Sequence, residues 1–541
     1  MTTVLAQTAR GRHARDPHPQ GRLLGRGVDL LLVVVAVAVH LRVQWLVRPA
    51  PHWGDASDVY DFARSWPDVG STPNHHAMRI GSLLPARLAI DWFGPGQWAF
   101  YAWPVVTGAL LVAATYVLAR LLGGRAVAVA ATVAVVALPA LVETSSGAVL
   151  TSWQLLPDVP CAALLTTTYA ALAAASRTRR QAPWLVLAGL ALGWAYLCRE
   201  YAVLAFPAVL GALIALGIPW RRWLWGVVPV LACFGLELWN DQRAYGKPLA
   251  RWTEAAGHGS DGGGATTRAD AWRGFADAMT TVPRGTTVVV LTVLAVAGPV
   301  LLHRQRRVAL APALHVACFW LGLTLLGGVL HPATPSLRIG ILRYWLPLVP
   351  LALVGGALVL VSTVRWLVSW LPRPAARVVV AAAVVGALAW YAVPASDDVS
   401  STTSEDVSWS RLRTWLHDEE PDGVLLECRA ARVLGTYYRY EPRGGATAFD
   451  SRVRALGHDY TSPTTASQLK QQCFRSYVLA SAFPGFDVLV ITPTGPTGQN
   501  GVPFSDAQLQ EKGWTRAWRQ APLDVWVATG SALAQRLRLQ P

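Results

Sequence analysis

The sequence predicts a mainly α-helical, polytopic membrane bundle of about eleven spans, followed by a small α/β domain. Three observations predict it. Of 541 residues, 53% are hydrophobic and only 15% are charged, where an ordinary soluble domain carries about 25% charged residues. Apolar runs of near-spanning length recur from residue 28 to residue 394. Arginines cluster in the short turns between those runs, which is the pattern that the positive-inside rule produces.

Residues 1–27 are basic and polar and are expected to form a disordered cytoplasmic tail. The apolar run that follows has no small-residue cleavage site at a suitable distance, so it reads as a retained first helix. Spans are expected at about 28–47, 98–120, 125–141, 158–176, 183–198, 202–219, 223–239, 285–302, 308–328, 344–363 and 376–394. With the N-terminus in the cytoplasm, the inner turns collect eighteen arginines between Arg10 and Arg377, against only Asp16 and Asp29. That asymmetry orients every span and puts the loops 48–97 and 240–284, and residues 395–541, outside. The membrane domain is therefore 28–394.

A formal charge of +15 could suit nucleic acid. The arginines are spent on short inner turns instead, so no nucleic-acid partner is expected. Lys247, Lys470 and Lys512 are the only lysines, and with so much Ala, Val and Gly the Arg bias suggests a high-GC bacterial genome. The Gly-rich stretch GHGSDGGGATTR follows no strand and opens no phosphate-binding helix, so it carries no nucleotide role.

In the C-terminal region, SWSRLRTWLHDEE has helical apolar spacing, and GVLLE, DVLVIT and LDVWVAT read as short buried strands. The extracytoplasmic α/β domain this implies, 395–541, shows no nucleophile–base pair and reads as structural or acceptor-binding. Cys161, Cys198, Cys233 and Cys318 fall in apolar segments as small packing residues. No CxxC occurs, and outside the cytoplasm Cys428 and Cys473 could pair, which sequence leaves open.

The chemistry concentrates in the first outer loop, from His52 to Gly81. Val59, Phe62, Ala63 and Trp66 recur at helical spacing, with Asp58, Asp61 and Arg64 between them, which predicts a short helix in the membrane plane. A second follows, with Ile80, Leu83, Leu84 and Leu88 as its apolar face and Arg79, Arg87 and Asp91 around it. Asp55 opens the first helix, either as a cap for free backbone N–H groups or as a general base toward an acceptor hydroxyl. Asp58, His75 and His76 are candidates for binding substrate hydroxyls, and Arg79 for binding phosphate. A divalent metal is possible, but no ligand set can be assigned.

Other charges reach the same side. Asp158 opens the fourth span, either as a cap or as a second functional acid. Arg199 and Glu200 form a charged break between two apolar spans, a placement that is costly unless the two pair or serve a function. Arg338 and Arg343-Tyr344 lead into the tenth span.

Four stretches carry a family resemblance: GDASDVYDFARSW, LLPDVPCAALLTTTYAALAA, GLALGWAYLCREYAVLAFP and RYWLPLVP. They resemble the acidic first loop, the Asp-initiated fourth span, the charged break and the Arg-Tyr entry of GT-C membrane glycosyltransferases. The nearest group is that of the protein O-mannosyltransferases and the aminoarabinose lipid A transferases. The resemblance implies a polyprenyl-phosphate sugar donor, inversion at the anomeric carbon, and a glycan, lipid or protein acceptor. It makes Asp55 and Asp158 the catalytic acids. Arg79, Arg199 and Arg343 become donor-phosphate ligands, and Asp58, His75, His76, Glu200 and Tyr344 line the substrate. The KPPL-like segment common in this loop is replaced by HHAMRIGSLLP, with Arg79 as a substitute cation. No D-x-D occurs, which disfavours a metal-bound nucleotide sugar. A transporter or flippase of lipid-linked glycans is the alternative, although no internal repeat is evident, and a non-catalytic envelope scaffold is a third class.

Overall fold

The computed structural model describes residues 19–46, 55–70, 73–138, 154–257, 268–280, 285–326, 342–370, 403–426, 486–491, 505–520 and 523–539, with short strands at 142–143, 150–151 and 453–455 and a few isolated positions. The membrane part runs α1 (Pro19–Leu46), α2 (Asp55–Ser65), α3 (Ile80–Phe93), α4 (Gln97–Gly123), α5 (Arg125–Val136), α6 (Asp158–Ala175), α7 (Ala182–Cys198), α8 (Phe206–Ala215), α9 (Leu224–Tyr245), α10 (Ala250–Gly257), α11 (Arg268–Thr280), α12 (Gly285–Leu301), α13 (Arg306–Leu326) and α14 (Val349–Trp370). Ten of the eleven predicted spans fall on these helices. The run 376–394, the Gly-rich stretch, Arg338, Cys428 and Cys473 lie outside the described residues. Among the described residues, six helices are long and apolar enough to cross a membrane: α1, α4, α6, α9, α13 and α14.

Two boundaries differ from expectation. The span expected at 223–239 continues as α9 to Tyr245, ending on Gly246 in the left-handed conformation (φ 67°). Hydropathy ends the span early because Glu237, Asn240 and Asp241 are polar, yet these three share one buried face of the helix. The span expected from 202 starts with a 3-10 turn, Glu200–Ala205, before α8.

Each main packing pair joins a helix to the next one or the next but one along the chain. α4 lies against α6, α6 against α7, α7 against α9, and α12 against both α13 and α14. At the α7–α9 crossing, a Cβ on Gly189 would lie 2.1 Å from the carbonyl oxygen of Gly226. Only glycine lets the two backbones approach so closely, as is usual where helices associate without a hydrophobic driving force.

The first long loop folds as two short helices, as expected, but one face is corrected. On α3 the buried residues are Ile80, Leu83, Ala86 and Ile90, while Leu88 is 54% exposed and Trp92 79%. The stripe from Leu88 to Trp92 faces away from the protein. The helix is apolar on two sides, and spacing alone cannot tell which side meets protein. On α2, Val59, Tyr60, Phe62 and Ala63 are all buried. The Tyr60 hydroxyl takes a hydrogen bond from the Gly96 amide at 2.6 Å, fixing α2 to the start of α4. Arg87 donates to the Arg64 carbonyl at 2.8 Å, satisfying a free C=O at the end of α2.

Between α5 and α6, β1 (Val142–Glu143) pairs antiparallel with β2 (Leu150–Thr151). The C-terminal region holds α15 (Thr403–Glu419) and a five-stranded mixed sheet in the order β4-β3-β5-β7-β6. The three strands expected there are β3 (Val424–Leu426), β5 (Val488–Ile491) and β7 (Leu523–Ala528). β4 (Val453–Ala455) and β6 (Trp514–Gln520) were not expected. The sequence of β6, WTRAWRQ, is largely half-buried, so it lacks the continuous apolar run that marks its neighbours.

Candidate active site

Alternate helix junctions collect at one end of the bundle. The start of α2, the residue before α3, the start of α6, the α7–α8 break, α10 and the turn before α14 meet there. Asp29 lies at the far end, where it accepts from Arg120 (3.1 Å), Arg125 (2.8 Å) and Tyr116 (2.9 Å). Roughly 40 Å of helix separates the two ends of the 27-residue α4.

Asp55 opens α2, and its carboxylate meets Arg343 at 2.5 Å and His76 at 3.6 Å. Asp158 opens α6 and makes no capping hydrogen bond. Its side chain accepts from Arg199 Nε at 2.8 Å and from the Tyr201 hydroxyl at 2.5 Å. Glu200 meets Arg79 at 3.2 Å, Arg251 at 3.3 Å and Arg199 at 3.8 Å. Arg199 and Glu200 are therefore not chiefly each other's partners, since each has a closer one elsewhere. The Arg199 guanidinium lies over two neighbouring rings, those of Tyr201 and Tyr344, each centred 5.0 Å from its guanidinium carbon and 5.7 Å from each other.

The break that places Arg199 and Glu200 is local. Arg199 leaves α7 in an extended conformation, and the 3-10 turn then carries the chain to the proline-headed α8. Arg79 is brought up by a close approach between α3 and α7. A Cβ on Gly81 would lie 2.5 Å from the Cys198 amide nitrogen. Trp194 Nε1 donates to the Gly81 carbonyl at 2.9 Å. Arg343 and Tyr344 sit in the 3-10 turn Leu342–Trp345. Its position is fixed by His315 of α13, whose ring contacts the Pro347 carbonyl at 3.0 Å and the Tyr169 hydroxyl at 3.2 Å.

Of the expected residues, Asp55, His76, Arg79, Asp158, Arg199, Glu200, Arg343 and Tyr344 form this one connected cluster. Asp58 is buried on α2, one turn beyond Asp55. The His75 ring packs against that of His76 with ring centres 3.8 Å apart and planes tilted by 44°. Two members were missed. Arg251 of α10 donates to Glu237 at 3.2 Å and to the Tyr196 carbonyl at 2.9 Å. Glu237 of α9 in turn accepts from the Tyr196 hydroxyl at 2.9 Å. An acid inside VLACFGLELW was the available signal for Glu237. An arginine in a polar loop gave none.

Burial pushes the Asp55 carboxyl up, but the positive charges around it (His76 when it carries a proton, then Arg343 and Arg79) outweigh burial and hold it below the usual carboxylate range. Burial drives His76 down and Asp55 opposes; Arg79, Arg199 and Arg343 add to the fall, leaving His76 at about 3. His76 is thus neutral near pH 7, and the two guanidiniums keep Asp55 ionised. Four guanidinium nitrogens of the cluster are buried with no hydrogen-bond partner among the described residues: Arg79 Nε, Arg199 Nη2, Arg251 Nε and Arg343 Nε. Buried polar groups are rarely left so, and four such donors from four separate elements suit an anion. Among the described residues, no three His, Cys, Asp or Glu side chains are grouped to hold a metal ion.

The whole structure is similar to ArnT from Cupriavidus metallidurans in the apo state, with TM-score 0.53 and 14% identity over 94% of this chain and 99% of that one. The chain has the GT-C fold. Its residues 83–238 match the family model of the dolichyl-phosphate-mannose-protein mannosyltransferases. That GT-C segment contains Asp158, Arg199, Glu200 and Glu237, and leaves Asp55, Arg79, Arg251 and Arg343 outside it. A weaker likeness links it to the Archaeoglobus fulgidus oligosaccharyltransferase, with TM-score 0.45 and 12% identity over 85% of this chain and 67% of that one. Arabinofuranosyltransferase AftD from Mycobacteria gives TM-score 0.41 and 17% identity over 92% and 41% of the two chains. No curated protein sequence matches the chain.

Proposed function

We propose that the chain is an inverting glycosyltransferase that moves a sugar from a polyprenyl-phosphate carrier to an acceptor hydroxyl at the outer face of a bacterial plasma membrane. The observation that carries this reading is that Arg79, Arg199 and Arg343 each hold a buried, unpartnered guanidinium nitrogen beside an ionised Asp55. The dolichyl-phosphate-mannose donor named for the matching family agrees with it.

In the reaction the acceptor oxygen attacks the anomeric carbon, the bond from that carbon to the phosphate oxygen breaks, and the phosphate leaves with both electrons. Arg79, Arg199 and Arg343 neutralise the charge that grows on it. The hydroxyl proton passes to Asp55. In the ligand-free site Arg343 neutralises Asp55, which makes it a weak base. Donor phosphate competes for Arg343, and the carboxylate it releases is the stronger base. Asp158, buried against Arg199 and Tyr201, acts by aiming Arg199. Tyr344, stacked on Arg199, does the same, while Asp58, His75, His76 and Glu200 line or brace the pocket for the sugar.

Membranes carrying Asp55→Asn, given radiolabelled polyprenyl-phosphate sugar, should transfer about 10²–10⁴-fold more slowly than wild type. Full transfer by that variant would remove Asp55 as the base. Net flipping of the carrier in proteoliposomes without bond formation would assign the chain to the transporters.

A further inference from the structure

Beyond the C-terminal end of α2 lies a cavity of about 240 Å³, walled by the turn after α2 and by the outer end of α9. Drug-sized pockets begin near roughly 300 Å³, so this one suits a single small ring system rather than a peptide segment. Its polar and aromatic walls are Trp66 and Asp68 on one side and Trp239, Asn240 and Arg243 on the other. The proposed mechanism uses none of them. Trp239 is 53% exposed and Asn240 8%, and the Arg243 guanidinium lies 5.6 Å from the centre of the Trp239 ring.

We infer that this cavity binds a sugar ring of a neutral glycan acceptor, at a distance from the hydroxyl that reacts. The inference rests on the transferase reading and deepens it by naming the acceptor class. Three features carry it. Two indoles border one small cavity, and an indole face matches the C–H face of a sugar ring, which is apolar although the ring's rim is not. The remaining groups are a guanidinium, a carboxylate and a carboxamide. Between them they accept from and donate to neighbouring hydroxyls in pairs. Arg243 and Asp68 also balance in charge. A phosphate headgroup would gain from Arg243 and lose to Asp68, whereas a neutral polyol uses both.

Position agrees with chemistry. The 11 residues of α2 rise about 16 Å from Asp55 to the lip of the cavity, so an acceptor chain would run along this helix to the base. α9 fixes the spacing from the other side. Its face bearing Glu237 and Asp241 holds Arg251, with the Arg251 backbone N–H donating to Asp241 at 2.9 Å, while Asn240 and Arg243 face the cavity.

The test is saturation-transfer NMR on the full-length protein in a detergent without a sugar headgroup, with α-mannobiose and maltose as probes. Ring C–H signals should appear with wild type. Trp239→Ala and Asn240→Ala should weaken binding about tenfold, while Trp239→Phe, which keeps an aromatic face and controls for unfolding, should retain it. Two results overturn the inference: no signal from either disaccharide, or signals unchanged in both alanine variants. Short-chain phosphatidylglycerol binding at the site while both sugars fail would make it a lipid headgroup site instead. Binding is read without turnover, so its failure is distinct from a failure of sugar transfer.

Discussion

Glu200 is shared by three guanidiniums, those of Arg79, Arg251 and Arg199, and a carboxylate so shared transmits any change in one arginine to the other two. Arg251 and Glu237 are 3% and 1% exposed at their side chains. Removing one partner of such a pair leaves the other buried and unpaired, at a cost of about 3–5 kcal/mol. Arg251→Gln should therefore lower thermal stability steeply and raise the KM for the lipid-linked donor. Adding Glu237→Gln should restore much of the stability, and thermal melts of the two single variants and the double variant read that coupling. His76 makes a pH prediction. Its folded value of about 3 lies below its ordinary 6.5, so between these values the unfolded chain binds a proton that the folded chain refuses. The stability it contributes is complete above pH 6.5 and is lost as pH falls toward 3. His76→Gln should flatten the fall in melting temperature between pH 6.5 and 4. Below pH 7 the transfer rate should show no limb that this variant removes.

At the scale of elements, the placement of Arg79 depends on how closely α3 approaches the end of α7. Gly81→Ala would drive a methyl group into the backbone at Cys198, which cannot yield as a flexible side chain does. The expected cost is about 1–3 kcal/mol, together with reduced donor affinity, because Arg79 lies only two residues away. Isothermal binding of polyprenyl phosphate to wild type and variant checks this. The helices themselves were legible, because apolar runs and their Arg-rich turns report length and order directly. Asp55, Asp158, Arg199 and Arg343 were legible for a related reason: each charge interrupts or borders an apolar run. The inward face of α3 was not legible, since Leu88 and Trp92 are as apolar as Ile80 and Leu83 and only the packing against α4 and α7 distinguishes them. Arg251 was hidden in a polar loop, and β6 was hidden by its half-buried, charge-rich face.

For the whole molecule, the two charge clusters lie at opposite ends of the bundle, and arginine counting expects those ends on opposite sides of the membrane. The expected orientation is testable in a cysteine-free background. A cysteine at Glu511, exposed in the C-terminal domain, should react with a membrane-impermeant maleimide in intact cells. One at exposed Arg179 should react only after permeabilisation. The reverse result would invert the topology and move the cluster to the cytoplasmic face. The cluster also draws its parts from distant points of one chain, and that constrains the order in which it can come into being. Asp158, at the head of α6, is made before Arg199 and Tyr201, its two partners, which follow 41 and 43 residues later. Until α7 follows, α6 carries an uncompensated acid at its edge, so a nascent chain halted in between holds that helix provisionally. Asp55 waits longer still, for Arg343. Ribosomes stalled short of residue 343 would then display an unfinished site that membrane quality-control proteases can recognise, and protease sensitivity of truncated chains should drop once Arg343 has been made.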